Sequence, residues 1–227
     1  MPSKVRILHL PLAPRTSVRG ARHFGGVATF PTVAAEEHNA LVSVTVDREA
    51  SRSGLAAALL VGAGVSVVLG AYAGLHDPAG RPLVTFGFSG MLQMKAWLTS
   101  AAAALLVVQV VTALWMWGRL PGDRPAPDWV GPVHRWSGAW AFVLTLPPMV
   151  HCLWALGFAG DSPRVLVHSV VGCLFYGAYA AKMIGLRSRS LPGWALPVLG
   201  GLVLTLLTLI WLTSALWFFS RSGLPLT

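Results

Sequence analysis

Four of the seven histidines lie in or beside long apolar segments, where an ionisable side chain is unusual. His151 lies about two turns before one such segment ends, and His168 about one turn into the next. At 1.5 Å per residue both should lie roughly 5–10 Å below the same membrane surface. An ionisable group at that depth is costly and indicates a functional site. Two imidazoles at matched depth on adjacent helices could supply both axial ligands of a b-type haem.

The residues around this pair fit a flat ligand. Gly172 follows His168 by one turn and leaves the surface beside the imidazole free of bulk. Pro147 and Pro148 precede His151 and predict a kink that frees carbonyls to orient an imidazole N–H. Arg164, near the mouth, could pair with a haem propionate. The sequence therefore predicts one haem b between the third and fourth helices, near the external face.

Two further histidines are weaker candidates for cofactor binding. His134 and His151 are about 25 Å apart along one helix, so they cannot bind the same metal. The fourth helix has no second histidine to pair with His134, which favours a single haem and makes His134 an interfacial anchor or headgroup contact. His76 closes the first segment near the external face.

Composition and hydropathy define the elements that must position these residues. Hydrophobic residues make up 55% of the chain and charged residues 11%, a balance that few soluble domains of this length show. Five segments are long and apolar enough to cross about 30 Å of hydrocarbon as helices. Aromatic residues at their ends are typical of headgroup belts. The predicted fold is an all-α bundle of five transmembrane helices over residues 54–75, 96–117, 136–158, 165–184 and 194–219.

The distribution of positive charge predicts topology rather than nucleic-acid binding. The net charge of +9 comes from residues in the tail and the connections, with no single basic stripe on a folded face. Eight Lys and Arg residues lie on the side of the N-terminal tail and four on the other. The N-terminus is therefore expected in the cytoplasm and the C-terminus outside. We expect a multi-pass protein of the bacterial plasma membrane, with the lipid bilayer as its main partner and no nucleic acid.

The predicted domain organisation is a membrane domain with two tails. Residues 1–52 are Arg-rich and acid-poor and are interpreted as a disordered basic cytoplasmic tail or an extension from a wrongly assigned start. The five-helix domain covers 53–220, and 221–227 form a short external tail. The connection 159–164 is so short that helices three and four must be antiparallel neighbours. The longest external connection, 76–94, could fold over the mouth of the bundle.

The run from His134 to Arg189 reads HRWSGAWAFVLTLPPMVHCLWALGF and then RVLVHSVVGCLFYGAYAAKMIGLRSR. With LHDP at 75–78 and LPGWALPVLGG at 191–201, it resembles an uncharacterised family of actinobacterial membrane proteins, a domain of unknown function, over residues 54–219. More distantly, the bundle resembles b-type cytochromes and ferric-reductase-like transmembrane domains. That resemblance implies His151 and His168 as axial ligands, with His76 or His134 as further candidates. The full set of four paired histidines is absent, as is any flavin or nicotinamide domain, so the electron donor would be a quinol or a redox protein.

Four functions from different classes are compatible with these observations. The first is a cytochrome b-like protein that passes electrons between quinol or a protein donor and an external acceptor. The second is a metal-binding or transport protein that uses His76, His151 and His168, with Asp77 and Asp161 nearby.

The third is an intramembrane hydrolase with Ser89 of a Gly-Phe-Ser-Gly motif as nucleophile, although such a serine is more often a helix cap. The fourth is a non-enzymatic scaffold or small subunit of a larger complex, in which Lys95 and Lys182 only snorkel. Cys152 and Cys173 fall in apolar runs and are interpreted as buried hydrophobes.

Overall fold

The computed structural model describes residues 33–120, 125–188 and 191–223. The chain divides into two compact units, Met1–Val42 and Ser43–Thr227, and the description below concerns the second. The first helix begins at Val33, so the part of the predicted tail from 33 to 52 is helical. No glycine or proline interrupts those residues, which explains the helix. The rest of that tail, residues 1–32, lies outside the described residues.

Six helices follow one another, and the described residues contain no strand. Five stretches among them are long and apolar enough to span a membrane, which confirms the five-helix prediction. Two of the helices continue through a π-helical turn, Cys152–Leu156 after α3 and Leu212–Leu216 after α5. The helices are α1 Val33–Leu75, α2 Met91–Met116, α3 Val130–His151, α4 Pro163–Arg187, α5 Ala195–Trp211 and α6 Trp217–Ser222.

α1 and α4 cross at very short range because both carry small residues at the crossing. A Cβ added to Gly62 would lie 2.6 Å from the carbonyl oxygen of Gly177 and 2.9 Å from Ala181 Cβ. On α1, Gly62, Ser66 and Gly70 repeat every fourth residue, which is the small-residue spacing that lets membrane helices approach closely. The two backbones therefore approach so closely that a residue larger than glycine would not fit at position 62 or 177.

α2 and α3 are held together by hydrogen bonds between half-buried side chains near the beginning of α3. Gln109 Nε2 donates to the carbonyl oxygen of His134 at 2.5 Å and to Ser137 Oγ at 2.7 Å. Gly138 leaves the space that the Gln109 amide fills. In lipid such interhelical hydrogen bonds replace the water that a soluble helix would have.

The apolar core joins α2, α4 and α5, and Phe175 is its largest fully buried side chain. α3 meets α4 through a stacked contact of Phe142 with Tyr179, and the Tyr176 hydroxyl donates to the Thr145 carbonyl at 2.9 Å. Helices three and four are thus antiparallel neighbours in contact, as the short connection predicts. The core cluster consists of Ala102, Leu106, Val171, Phe175, Ala178, Leu206 and Leu207.

The connection between α1 and α2 lies against the end of α3. The Ala79 N–H donates to the Trp154 carbonyl at 3.0 Å, and the Gly80 N–H to the Ala155 carbonyl at 3.1 Å. Both carbonyls belong to the π-helical turn, where the wider helix leaves acceptors without their usual intrahelical donors. The loop therefore caps α3, and we call this end of the bundle the capped end.

Candidate functional site

A cavity of about 140 Å³ lies inside the bundle towards the capped end. Residues from all five spanning segments line it, including Leu69 of α1 and Ile210 of α5. Most of the wall is apolar, and the polar groups converge from different helices. A largely apolar cavity with a few convergent polar side chains is the usual form of a small-molecule site. Its polar lining residues are Lys95, Thr99, Thr145, Cys152, His168, Ser169, Cys173, Tyr176 and Ser214.

His168 is positioned by the π-helical turn that follows α5, and it faces Cys152. Its Nδ1 lies 3.1 Å from Thr213 Oγ1, and its Nε2 lies 3.8 Å from Cys152 Sγ. Thr213 Oγ1 donates its own hydrogen to the Leu209 carbonyl at 2.7 Å, so it accepts from His168 Nδ1–H. With its hydrogen on Nδ1, the imidazole turns the lone pair of Nε2 towards the cysteine sulfur.

Lys95 brings a cationic side chain into the same cavity. It is the fifth residue of α2, is only 7% exposed, and lines the cavity together with Cys152. Among the residues that the structure describes, no carboxylate forms an ion pair with it. A lysine ammonium without a counter-ion in a membrane interior costs several kcal/mol. The cavity is thus suited to an acceptor or anionic oxygen that would offset this cost.

His151 is the anchor of the capping loop and does not line the cavity. Its Nε2 accepts the Leu83 N–H at 3.2 Å and the longer Val84 N–H at 3.4 Å. Its Nδ1–H donates to the Pro147 carbonyl at 2.8 Å, whereas the carbonyls that the two prolines leave without helical donors are those of Val143 and Leu144. The side chain is 1% exposed. Both ring nitrogens of His151 are therefore satisfied by protein backbone.

The other two candidate histidines occupy separate places. His76 stacks on Tyr72, its Nε2–H donates to the Trp154 carbonyl at 3.1 Å, and its buried Nδ1 has no partner among the described atoms. His134 Nδ1–H donates to Thr112 Oγ1 at 2.9 Å, inside the contact of α2 with α3. His134 thus joins two helices, where the sequence favoured an interfacial anchor or headgroup contact.

Arg164 and Gly172 differ in their relation to the cavity. Arg164 Nη1 donates to the Thr213 carbonyl at 2.6 Å, and the guanidinium lies 3.9 Å from the ring centre of Trp217. Arg164 is not a lining residue, so it is directed to the end of α5. Gly172 does line the cavity, and a Cβ there would meet nothing within 4 Å, as a free surface beside His168 requires.

The residues predicted to hold haem b do not fit that group as they are placed. His168 lines the cavity and His151 does not, and all four of their ring nitrogens face protein atoms. The cavity is also close in size to the roughly 150 Å³ engineered cavity that holds benzene. A macrocycle would need the capping loop and α3 to move.

The purified protein therefore offers a direct test of the predicted haem. If His151 and His168 were axial ligands, a reducible Soret band would be present and would disappear in both His151→Ala and His168→Ala. From the observed geometry we expect no band that depends on both side chains. Oxidised and dithionite-reduced absorption spectra of protein expressed with added haem make the comparison, and a band lost in both variants would restore the prediction.

The described residues give little support to the metal-binding and hydrolase alternatives. No group of three or more His, Cys, Asp or Glu side chains among them could hold a metal ion. Ser89 directs both its backbone N–H, at 2.9 Å, and its hydroxyl to the Gln93 side chain at the start of α2. Both bonds run from Ser89 to one oxygen of Gln93, so Ser89 ties the chain to α2 just before the N-cap residue, Gly90.

Sequence reasoning missed three residues of the site: Cys152, Lys95 and Thr213. Cys152 was interpreted as a buried hydrophobe, and Lys95 only as a snorkelling side chain. Lys95 directly precedes the second predicted span, 96–117, where a lysine usually snorkels, so its burial carried no signal in the sequence. Thr213 carried no signal in the sequence, since its role depends on α5 lying beside α4.

The fold and this site define a class: a polytopic membrane protein with five membrane-spanning helices around a partly polar cavity. The chain belongs to the family of unknown function DUF6529, whose sequence model matches residues 55–226. The predicted membership of an uncharacterised domain family is thereby confirmed. Searches of curated proteins and of solved structures found no match. The resemblance to b-type cytochromes and the actinobacterial origin stay predictions.

Proposed function

We propose that this protein binds the head group of a membrane-soluble quinone or quinol in its central cavity. The observation that carries the proposal is Lys95, a buried lysine with no carboxylate partner among the described residues, which lines a largely apolar cavity. A quinone oxygen accepts a hydrogen bond from the ammonium and gains negative charge on reduction, so Lys95 would stabilise both forms.

The size and character of the cavity support a single ring. Its volume of about 140 Å³ resembles that of a cavity that accommodates benzene. Leu69, Met149, Leu153 and Ile210 provide the apolar walls against which a ring can pack. The open surface at Gly172 leaves room for the ring beside the His168 imidazole. Such a ligand reaches the site from the bilayer, in which it dissolves.

Replacing Lys95 by methionine should weaken quinone binding by about tenfold to a hundredfold, because a hydrogen bond to a charged group contributes about 1.5–3 kcal/mol. Methionine keeps an unbranched apolar chain of similar length. Binding of a short-chain benzoquinone that is substituted at every ring carbon, and so offers a thiol no ring C–H for conjugate addition, would be measured by equilibrium dialysis with protein in nanodiscs. Wild-type protein is expected to bind the quinone saturably.

Lys182→Met is the matched control, since Lys182 also lies in a span but does not line the cavity. Its affinity should equal that of wild type. Elution of each variant as a single symmetrical peak in gel filtration verifies folding. Equal affinities of Lys95→Met and wild type, or non-saturable binding to wild type, would overturn the proposal.

A further inference from the structure

Cys152 and His168 are placed as a nucleophile and its general base. The sulfur lies 3.8 Å from His168 Nε2, which is within the reach of a weak thiol hydrogen bond, and both side chains line the cavity. Because Thr213 accepts Nδ1–H, the imidazole presents its basic nitrogen to the thiol. Nucleophile, base and a third group that orients the base form the arrangement that activates serine and cysteine nucleophiles.

The two outer residues of this arrangement, Cys152 and Thr213, lie in π-helical turns. Cys152 is the first residue of the π-helical turn after α3, and Thr213 lies within the turn after α5. One extra residue in a turn rotates the side chains that follow, and such turns occur frequently at functional sites. Arg164 fixes the second turn through its bond to the Thr213 carbonyl. The thiol and the threonine are therefore aimed by two local departures from the α-helix.

Lys95 supplies an independent observation that points to a ligand. Its side chain is more than nine-tenths buried and lines the same cavity as Cys152 and His168. This cationic group would stabilise negative charge that develops on an oxygen of a bound molecule.

We propose that Cys152, with His168 as its base, is a nucleophilic site that adds covalently to small α,β-unsaturated carbonyl compounds in the cavity. His168 Nε2 takes the thiol proton, and the sulfur electron pair forms an S–C bond to the β-carbon. The electrons of the C=C bond move to the carbonyl oxygen as an enolate, which Lys95 holds. The imidazolium then returns the proton to the α-carbon, so that the product is a thioether and no oxidant or reductant is needed.

The two cysteines of the chain provide a built-in comparison, because both line the cavity and both are free thiols. N-Ethylmaleimide, a ring-sized conjugate acceptor that crosses membranes, would be added to Cys173→Ser and to Cys152→Ser protein in nanodiscs. Intact-mass spectrometry follows the rate of addition. We expect Cys152, the thiol left in Cys173→Ser, to react at least about tenfold faster than Cys173.

Variants of the base and its orienting group test the mechanism in the Cys173→Ser background. His168→Gln should slow labelling about tenfold or more, because glutamine cannot take the thiol proton. Should that variant fail to fold, Thr213→Val keeps the imidazole but removes the acceptor that sets its tautomer, and it should slow labelling too. Leu166→Ala, on an exposed position of α4, is the control and should label at the parent rate.

Equal rates for the two cysteines, no labelling of Cys152, or an unchanged rate in a folded His168→Gln or Thr213→Val protein would each overturn this proposal. Labelling requires no quinone, so the proposal does not depend on the proposed function. Failure of quinone binding with rapid labelling of Cys152 would refute only the binding proposal. Saturable quinone binding with slow labelling would refute only the nucleophile.

Discussion

Replacing Gly62 by alanine is expected to destabilise the bundle strongly, although the same change stabilises most helices. The new Cβ would lie 2.6 Å from the Gly177 carbonyl oxygen, and the obstacle is backbone that cannot rotate away. Overpacking of this kind costs about 3 kcal/mol, and we expect a fall in melting temperature of roughly 6–12 °C. Retention of the monodisperse gel-filtration peak after heating measures the effect.

Gly64 supplies the control for this experiment. It lies two residues after Gly62 on the same helix, and a Cβ added there would meet nothing within 4 Å. Gly64→Ala should leave stability unchanged or raise it by up to about 1 kcal/mol through helix propensity. Gly177→Ala, on the opposite side of the crossing, should behave like Gly62→Ala. If Gly62→Ala were as stable as Gly64→Ala, the close crossing of α1 and α4 would be refuted.

His151→Ala should release the capping loop from the end of α3. The substitution leaves the Leu83 N–H and the Pro147 carbonyl without their buried partners. Each such group costs about 1–3 kcal/mol, so a total of roughly 2–6 kcal/mol is expected. Hydrogen–deuterium exchange followed by mass spectrometry should show at least about tenfold faster exchange in a peptide that contains Leu83 and Val84.

His168→Ala is the matched control, since that imidazole contacts Cys152 and Thr213 and none of the loop amides. It should leave exchange in the loop peptide unchanged. Equal loop exchange in His151→Ala and wild type would refute the anchoring role. The two variants therefore distinguish His151, which binds the capping loop, from His168, which lines the cavity. The sequence analysis had assigned both histidines to one haem site.

The membrane architecture could be predicted because it depends on hydropathy and length alone. Any stretch that satisfies its backbone hydrogen bonds as a helix and is apolar for about 20 residues will span a bilayer, whatever its neighbours are. The ends of the helices were less predictable. α3 begins at Val130 rather than Trp136, because interfacial residues near the predicted start still form helix.

Which helices are neighbours was predictable only where the connection between them is short. The brief connection after α3 requires α4 to lie beside it, as the Phe142–Tyr179 contact shows. The crossing of α1 with α4 joins helices that are distant in sequence, and glycine is too frequent in this chain for its spacing to identify the crossing.

The sequence by itself determined that ionisable groups lie at matched depth near one end of the bundle. Only the tertiary structure decided which of them face one another. His151 and Cys152 are adjacent, so their directions differ by about 100° around the helix. The proline pair and the π-helical turn change the helical phase locally. As a result the His151 imidazole binds the capping loop, while the Cys152 thiol lines the cavity. Side-chain depth follows from residue number, whereas side-chain direction depends on packing against segments far away in the chain.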